Sequence, residues 1–335
     1  MNVRITVNKI MSDFPLQPDF LNPAKLLQKP TRDGYGLGLV EAGEKDPNVV
    51  ALCADLTEST RTEWFAKKFP ERFIEVGVAE QNLAALASGL AAVGKVPFMA
   101  SYATFSPGRN WEQIRTTICL NNQPVKICGA HAGISVGPDG ATHQALEDLA
   151  LMRVLPNMAV IVPADSEEAR KATLAAAVWP GPVYLRFGRS ATPVFTLPES
   201  PFKIGEAYVL KDGSAATIVS TGSASYTALK AAYNLEKAGL NVRVLHCPTL
   251  KPMNEAPLLA AARETKRLIT LEEHQVVGGL GGAVAEIVSS NVPVPILRLG
   301  IGDCFGQSGE PSELMRHFGI DEESVTQKAR GFISH

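Results

Sequence analysis

The sequence predicts an α/β protein built from two doubly wound parallel-sheet domains. Short apolar runs of strand length alternate with helix-like segments of about 10–15 residues along most of the chain. Because parallel strands need helical crossovers, this alternation favours parallel sheets that are covered on both faces. The alternation breaks once, between Ala191 and Gly205, where prolines predict a linker. A chain of 335 residues suffices for about two domains.

The first alternating stretch predicts a domain over residues 28–191, preceded by an N-terminal extension over residues 1–27. Its strands are runs rich in valine, isoleucine and phenylalanine, and its helices repeat apolar residues every three or four positions. The predicted strands lie at 49–53, 72–76, 96–100, 125–129, 158–162 and 182–187. The predicted helices lie at 35–44, 62–68, 111–120, 144–153 and 167–178, and an alanine-rich helix starts near Glu80.

The linker over residues 192–205 leads to a second, smaller α/β domain over residues 206–335. Its predicted strands lie at 215–220, 241–247, 267–273 and 294–300. Its predicted helices lie at 224–238, 255–263 and 281–289.

The composition is typical of a soluble globular protein, with 45% hydrophobic and 20% charged residues. A net charge of −2 argues against nucleic acid or an acidic membrane surface as a partner. The sequence has no apolar run of the ~20 residues that a bilayer requires, so we expect a cytoplasmic protein without membrane contact. The five cysteines occur singly, without metal-ligand spacing, and no metal site is predicted on this chain.

The candidate functional residues lie where strands of the first domain end, because ligands of parallel sheets bind at that edge. Glu80 lies at a strand-to-helix junction. A carboxylate in a first helical turn is commonly only a helix stabiliser, so its role depends on its neighbours. Other polar or aromatic side chains that follow strands are Asp55, Ser59, Tyr102, Phe105 and Arg189.

The loop from Ala130 to Gln144 is the most specific of these segments. It carries His131, Asp139 and His143 among glycines. Such residues suit hydrogen bonds to a hydroxylated ligand that approaches the backbone closely, although a single histidine here would more often be structural. The spacing does not match HxxH or HExxH metal motifs.

A phosphate-binding motif of the GxxxxGK[ST] type is absent from the sequence. Gly34, Gly36 and Gly38 imitate a dinucleotide motif, but they precede the first clear strand and are discounted. Charged and hydroxyl donors that are able to surround a phosphate terminus are Arg32, Ser59, His131 and Arg189.

Five motifs between about Thr31 and Phe318 resemble the C-terminal half of the transketolase family, whose enzymes use thiamine diphosphate. They are FIEVGVAEQN, ADLTES, SYATF, GAHAGISVGPDGATHQALEDLALMRVLPNMAVIVPAD and FGQSGEPSELM. The resemblance implies that residues 28–191 form a pyrimidine-binding domain and that residues 206–335 form a transketolase C-terminal domain. Similar patterns occur in 1-deoxy-xylulose-5-phosphate synthases and in β subunits of 2-oxoacid dehydrogenases.

The resemblance also implies roles for single residues. Glu80 would be the catalytic carboxylate that contacts the aminopyrimidine of the cofactor, and Tyr102, Phe105 and Asp55 would lie around that cofactor. His143 would be catalytic and would hold sugar hydroxyls together with Asp139. The phosphate of the sugar would be bound by Arg32, Ser59, His131 and Arg189. Arg186 is either an assistant in this binding or a structural ion-pair partner.

The resemblance further implies a partner. The sequence has no GDG motif of the kind that binds the cofactor's diphosphate through Mg²⁺. We therefore expect this chain to share thiamine diphosphate with an N-terminal transketolase subunit. That subunit would provide most of the contacts to Mg²⁺ and to the diphosphate, and the two kinds of subunit would form an α2β2 assembly. The expected function is transfer of a two-carbon ketol unit between phosphorylated sugars. The alternatives are a 1-deoxy-xylulose-5-phosphate synthase-like or a 2-oxoacid dehydrogenase β-like subunit, and an inactive regulatory paralogue.

Overall fold

The computed structural model describes residues 14–334 and contains two large sheets. The strands are β1 (Gln28–Lys29), β2 (Val49–Cys53), β3 (Phe73–Glu75), β4 (Val96–Tyr102), β5 (Lys126–Ala130), β6 (Ala159–Ile161), β7 (Val183–Arg186), β8 (Thr192–Pro193), β9 (Tyr208–Lys211), β10 (Thr217–Ser220), β11 (Arg243–His246), β12 (Thr249–Lys251), β13 (Leu268–Gln275) and β14 (Ile296–Ile301). The helices are α1 (Thr31–Lys45), α2 (Glu63–Lys68), α3 (Glu80–Ala92), α4 (Trp111–Gln113), α5 (Asp148–Arg153), α6 (Ser166–Ala177), α7 (Ala224–Lys237), α8 (Glu255–Thr265), α9 (Leu280–Asn291), α10 (Pro311–His317) and α11 (Glu322–Ser334).

The first sheet has seven strands in the order β12-β6-β7-β5-β4-β2-β3. All its neighbouring pairs are parallel except β12 with β6, which is antiparallel. The second sheet has five strands in the order β14-β13-β10-β11-β9, and its edge strand β9 is antiparallel to β11. The predicted α/β class with mainly parallel sheets is therefore confirmed.

Both faces of the first sheet are covered by helices, as a doubly wound fold requires. On one face, Leu52 of β2 belongs to a core cluster with Leu83 of α3. On the other face, Ala51 of the same strand belongs to a cluster with Tyr35 of α1 and Ala169 of α6. Because successive residues of a strand point to opposite faces, a strand that is buried on both sides consists of consecutive apolar residues.

Three of the four glycines of α1, Gly34, Gly36 and Gly38, serve packing between helices. A Cβ atom at Gly34 would collide with the Ser166 carbonyl at the start of α6, and one at Gly38 would lie 2.7 Å from the Arg170 carbonyl oxygen. On another side of α1, a Cβ atom at Gly36 would lie 2.6 Å from the Trp64 ring. The glycines thus allow α1 to approach α2 and α6 closely, which agrees with discounting them as a dinucleotide motif.

Among the elements that differ from the sequence prediction, two affect the site loop and the first sheet. The predicted helix at 144–153 begins only at Asp148, because Ala145 forms a bridge with Ala132 and its carbonyl accepts hydrogen bonds from Gly133 N and Arg186 Nη2. Strand β12 comes from residues beyond the predicted linker and yet extends the first sheet. The domain boundaries themselves stay predictions.

Part of the predicted N-terminal extension lies within the described residues, and residues 1–13 lie outside them. Phe14 contacts the Tyr208 ring at a centroid distance of 5.1 Å, and Phe20 contacts Tyr233 at 5.7 Å. Phe14 and Phe20 therefore pack against the second sheet and its helix α7. Among the helices of residues 14–334, none has both the length and the apolar character needed to cross a membrane.

Candidate active site

Glu80 is the first residue of α3, and its side chain is only 4% exposed. Arg109 Nη1 donates to both carboxylate oxygens, at 3.0 Å to Oε1 and 3.2 Å to Oε2. Asn110 Nδ2 donates to the Glu80 backbone carbonyl at 2.9 Å. Within residues 14–334, Arg109 is the only side chain that binds this carboxylate. The carboxylate of a helix-capping residue is bonded to backbone N–H groups of its own helix. The Glu80 carboxylate is instead bonded to one half-exposed arginine side chain, which a ligand could replace.

Glu75, which the sequence analysis missed, organises the turn that leads to Glu80. Its carboxylate accepts hydrogen bonds from Asp55 N at 2.7 Å, Thr57 Oγ1 at 2.8 Å and Gly77 N at 2.9 Å. Asp55 itself is exposed and has a left-handed backbone, with φ 56°. Its carboxylate has no hydrogen-bond partner in the described part of the chain.

An aromatic group occupies the centre of the site. The Tyr102 and Phe105 rings lie 5.9 Å apart, and His131 stacks on Tyr102 at 3.9 Å. His143 meets Phe105 edge-on at 5.5 Å and Tyr102 at 6.0 Å. The Arg109 guanidinium lies 4.3 Å from the centroid of the Phe105 ring, which connects this group to Glu80.

His131 is a neutral residue at pH 7. Burial and the nearby charges of Arg32, Arg189 and Arg61 lower its pKa to about 3. Its Nε2 lies 3.4 Å from Arg32 Nη1, and its backbone is left-handed, with φ 53°. Next to a guanidinium, an uncharged imidazole offers a hydrogen-bonding group without adding repulsion.

The opposite end of the site is cationic. Arg32, in the first turn of α1, donates through Nη1 to the Ser59 carbonyl at 2.7 Å, and Arg189 Nη1 donates to the Val136 carbonyl at 2.8 Å. Burial and the charge of Arg61 lower the pKa of Arg32. The Nε atom of Arg32 and the Nδ1 atom of His131 are buried and have no hydrogen-bond partner in the part of the chain that the structure describes. Such atoms are rare in folded proteins and suit a site that receives a polar ligand.

The loop from Ala130 to Gln144, which carries His131 and His143, is held by contacts with the second domain. Glu273 Oε1 accepts a hydrogen bond from Ser135 N at 2.6 Å. Gln144 Nε2 donates to the carbonyls of Ile134, Gly137 and Gln307, at 3.2, 3.2 and 2.9 Å. In contrast, Asp139 is exposed, and its carboxylate has no hydrogen-bond partner among residues 14–334.

Arg186 is a structural residue of the domain interface. It donates to both oxygens of Asp148, at 2.8 and 3.1 Å, and to the backbone carbonyls of Ala145 and Glu273. Burial, the largest single influence, would raise the pKa of Asp148, but the nearby charges and the hydrogen bonds from Arg186 and Tyr184 together lower it. Of the two roles that the sequence left open for Arg186, the ion pair is the one that these contacts support.

The structure thus brings most of the predicted residues together in one continuous series of contacts. It runs from Glu80 through Arg109, Phe105, His143, Tyr102 and His131 to Arg32 and Ser59. The side chains of Asp55 and Asp139 make no hydrogen bond to this series within residues 14–334. The sequence analysis did not single out Arg109 or Glu75: Arg109 lies outside the five motifs, four residues after Phe105, and Glu75 lies inside FIEVGVAEQN, five residues before Glu80.

No group of three or more histidine, cysteine, aspartate or glutamate side chains within residues 14–334 is arranged to hold a metal ion.

Comparison with known proteins gives two family matches. The profile of the transketolase pyrimidine-binding domain matches residues 28–194, and that of the transketolase C-terminal domain matches residues 205–325. The chain is 43% identical to the transketolase C-terminal section of Methanocaldococcus jannaschii, over 90% of this chain and 95% of that protein. It is 37% identical to a 6-deoxy-6-sulfo-D-fructose transketolase subunit of a Clostridium species, over 91% of this chain and 95% of that subunit.

A solved structure described as a split-gene transketolase, in the form of an inactive β4 tetramer, has a similar fold. Its TM-score is 0.85 and its sequence identity is 46%, over 91% of this chain and 98% of that one.

Proposed function

The chain belongs to the transketolase family as the C-terminal section of a split transketolase, and we propose that it transfers a two-carbon ketol unit between phosphorylated ketose and aldose sugars. The observation that carries this proposal is the series of contacts from Glu80 to Arg32. It places an acidic group, aromatic rings, histidines and arginines in one order along the strand ends. A sugar phosphate attached to thiamine diphosphate would present its parts in the same order: the aminopyrimidine ring next to the acidic and aromatic residues, the sugar hydroxyls next to the histidines, and the phosphate next to the arginines.

The residues at the acidic end fit the thiamine diphosphate that the pyrimidine-binding domain implies. When bound, this cofactor supplies the carbon nucleophile that carries the ketol unit. Glu80, which is 4% exposed, would bind a ring nitrogen of the aminopyrimidine and exchange a proton with it through a carboxylate oxygen. Phe105 would offer its face to the same ring.

Arg109 supports this assignment because its guanidinium makes the two contacts that we propose for the aminopyrimidine, one with a carboxylate and one with an aromatic ring. It binds the Glu80 carboxylate and lies over the Phe105 ring at 4.3 Å. Its side chain is 50% exposed and is therefore able to move aside. We propose that a bound aminopyrimidine replaces the guanidinium at both contacts.

The middle and cationic end would hold the sugar. His143, next to Phe105, and the exposed Asp139 would bind hydroxyl groups close to the reacting carbons. His143 would move a proton to or from such a hydroxyl. Arg32, Ser59, His131 and Arg189 would bind the phosphate, and the unpartnered atoms of Arg32 and His131 are ready to do so.

Activity would require a second subunit that binds the diphosphate through Mg²⁺, in an α2β2 assembly. The relatives support this part of the proposal, since they are named as a section, a subunit or a split-gene product. The solved β4 tetramer is described as inactive, which agrees with a need for a partner.

The test is reconstitution with a diphosphate-binding subunit, thiamine diphosphate, Mg²⁺, xylulose 5-phosphate and an aldose phosphate. We expect ketol transfer by the complex and none by the chain alone. Turnover of a 2-oxoacid in its place would favour the synthase-like or dehydrogenase-like alternative. A complex that assembles but turns over neither class would indicate the regulatory paralogue.

The first prediction concerns Glu80. In the assembled enzyme, Glu80→Gln is expected to slow exchange of the reactive cofactor proton by about 100-fold or more, since general acid–base groups contribute ~10²–10⁴-fold. Assembly should be unaffected. Exchange can be followed by NMR in deuterated water without any sugar. The control is Glu71→Gln, at a glutamate whose side chain is 71% exposed. Wild-type exchange in the Glu80 variant would mean that another residue carries the proton.

A further inference from the structure

Arg61 extends the cationic end of the site beyond the residues that the motifs indicate. It follows Ser59 by two positions, and its backbone is left-handed, with φ 65°. A residue other than glycine adopts this conformation only where the surrounding structure holds it. Its Nε donates to Asp33 Oδ1 at 2.7 Å, and its Nη1 donates to the Glu58 carbonyl at 3.1 Å. Its Nη2 has no partner in the described part of the chain.

The three arginines around His131 carry more charge than their carboxylate neighbours neutralise. Arg32 and Arg189 donate to backbone carbonyls, and neither forms an ion pair with a carboxylate of residues 14–334. Asp33 pairs with Arg61 at 2.7 Å. Since His131 is neutral at pH 7, three positive groups and one negative group leave a net charge of +2.

The cluster is also incompletely hydrogen-bonded. Among residues 14–334, neither Arg32 Nε nor His131 Nδ1 has a hydrogen-bond partner, although both atoms are buried. Buried donors and acceptors are bonded in most native structures, so these two atoms are suited to bind a polar ligand. Positive charge and free hydrogen-bonding groups at one place together fit an anion with several oxygens.

We propose that Arg61 is a specificity-determining residue: it completes a cluster of charge +2 that selects sugars ending in a dianionic phosphate over sugars ending in a singly charged sulfonate. This inference rests on the proposed function. A sugar phosphate is close to a dianion at pH 7, because its second pKa is about 6. A sulfonate has the same tetrahedral shape but one charge, so it would leave the cluster half neutralised. One relative is named for a sulfonated sugar, which makes the distinction relevant.

The alternative is that Arg61 merely pairs with Asp33 and holds α1 against the turn after β2. Substitutions at the two residues separate these roles. If the ion pair is only structural, Arg61→Gln and Asp33→Asn break the same contact and act in the same direction. If charge is decisive, the first lowers the net charge and the second raises it, so their effects on phosphate binding have opposite signs.

The experiment measures KM and kcat of the assembled enzyme for xylulose 5-phosphate and for 6-deoxy-6-sulfofructose as donors. For Arg61→Gln we expect KM for the phosphate to rise about tenfold and KM for the sulfonate about threefold, with little change in kcat, because a dianion loses about twice the Coulomb energy that a monoanion loses. For Asp33→Asn we expect KM for the phosphate to fall about twofold. Arg330→Gln, at an exposed arginine of α11, is the control.

Binding to the isolated chain gives a readout that does not need catalysis. Inorganic phosphate, a dianion above its second pKa, should bind more tightly than methanesulfonate, and Arg61→Gln should remove most of that preference. The inference would be overturned if KM changed equally for the phosphate and the sulfonate donor, and if Arg61→Gln and Asp33→Asn changed KM for the phosphate in the same direction. Absence of ketol transfer by the wild-type complex, with the phosphate preference intact, would overturn the proposed function and leave the role of Arg61 standing.

Discussion

Single residues of the site and of the second sheet differ in how burial affects their charge. Glu80 is nearly buried but keeps a cationic partner, Arg109, whereas His131 of the site and His274 of β13 are buried histidines that stay neutral. Burial is the main cause that lowers their pKa values, to about 3 and about 4. For the site this means that the positive charge of the cationic end comes from arginines and does not change near neutral pH.

A pH dependence of stability follows from these histidines. In the unfolded chain both titrate near pH 6.5, so between about pH 6.5 and pH 4 the unfolded state binds protons that the folded state does not. This contribution to the free energy of unfolding is present above pH 6.5 and is lost as the pH falls. Buried Glu272 opposes it, because burial raises its pKa to about 7 and its folded form binds a proton first.

His274→Gln isolates one of these contributions. Between pH 6 and pH 5, the fall in the free energy of unfolding should be smaller than in the wild type, by at most ~1.4 kcal/mol per pH unit. Urea unfolding at several pH values measures the slope. The same substitution at the exposed His317 controls for removal of a histidine. Parallel stability curves for wild type and variant would contradict the assigned pKa.

At the scale of elements, the loop between β5 and α5 depends on the second domain for its shape. Ser135 N is bound by Glu273, and the Gln144 side chain ties two carbonyls of the loop to the carbonyl of Gln307. Gly140 lies so close to Ser308 that a Cβ atom would approach Ser308 Oγ to 2.6 Å. The segment before α10 therefore covers the loop that carries His143.

Gln144→Met should loosen this loop. Methionine has a similar length but no donor, so three carbonyls lose a hydrogen bond and the free energy of unfolding should fall by about 1–3 kcal/mol. Hydrogen exchange of the amides at 134–143 should become faster, and KM for the sugar should rise while thiamine diphosphate affinity is retained. Gln327→Met, at an exposed glutamine of α11, is the control. Unchanged exchange in the loop would show that Gln144 does not hold it.

At the scale of the whole molecule, the two sheets are joined by buried polar contacts as well as by apolar packing. His246 of β11 meets Glu168 of α6 at 2.9 Å, and Arg186 of β7 donates to the Glu273 carbonyl of β13 at 3.0 Å. Strand β12 also connects them, because it pairs with β6. The site is thus built on the first sheet and supported by the second.

Arg186→Met tests this support. Removing one partner of a buried ion pair leaves Asp148 uncompensated, so the free energy of unfolding should fall by about 3–5 kcal/mol. KM for the sugar phosphate should change less than about twofold at temperatures where the variant is folded, since Arg186 contacts no predicted site residue. Thermal unfolding and steady-state kinetics provide the two measurements. A large rise in KM with near-normal stability would indicate the substrate-binding role instead.

The sequence by itself determined the α/β alternation and the residues that end each strand, because both depend on neighbouring residues along the chain. The period of apolar side chains distinguishes strands from helices, and ligands of parallel sheets bind where the strands end. It therefore predicted Glu80, the aromatic pair, the histidines and the arginines as site residues. Only the tertiary structure decided which of them touch. The Glu80–Arg109 contact joins residues 29 positions apart, and the Ser135–Glu273 contact joins residues 138 positions apart. Such contacts depend on how separate elements pack, so no local pattern predicts the contacts of Arg109, Gln144 or Arg61.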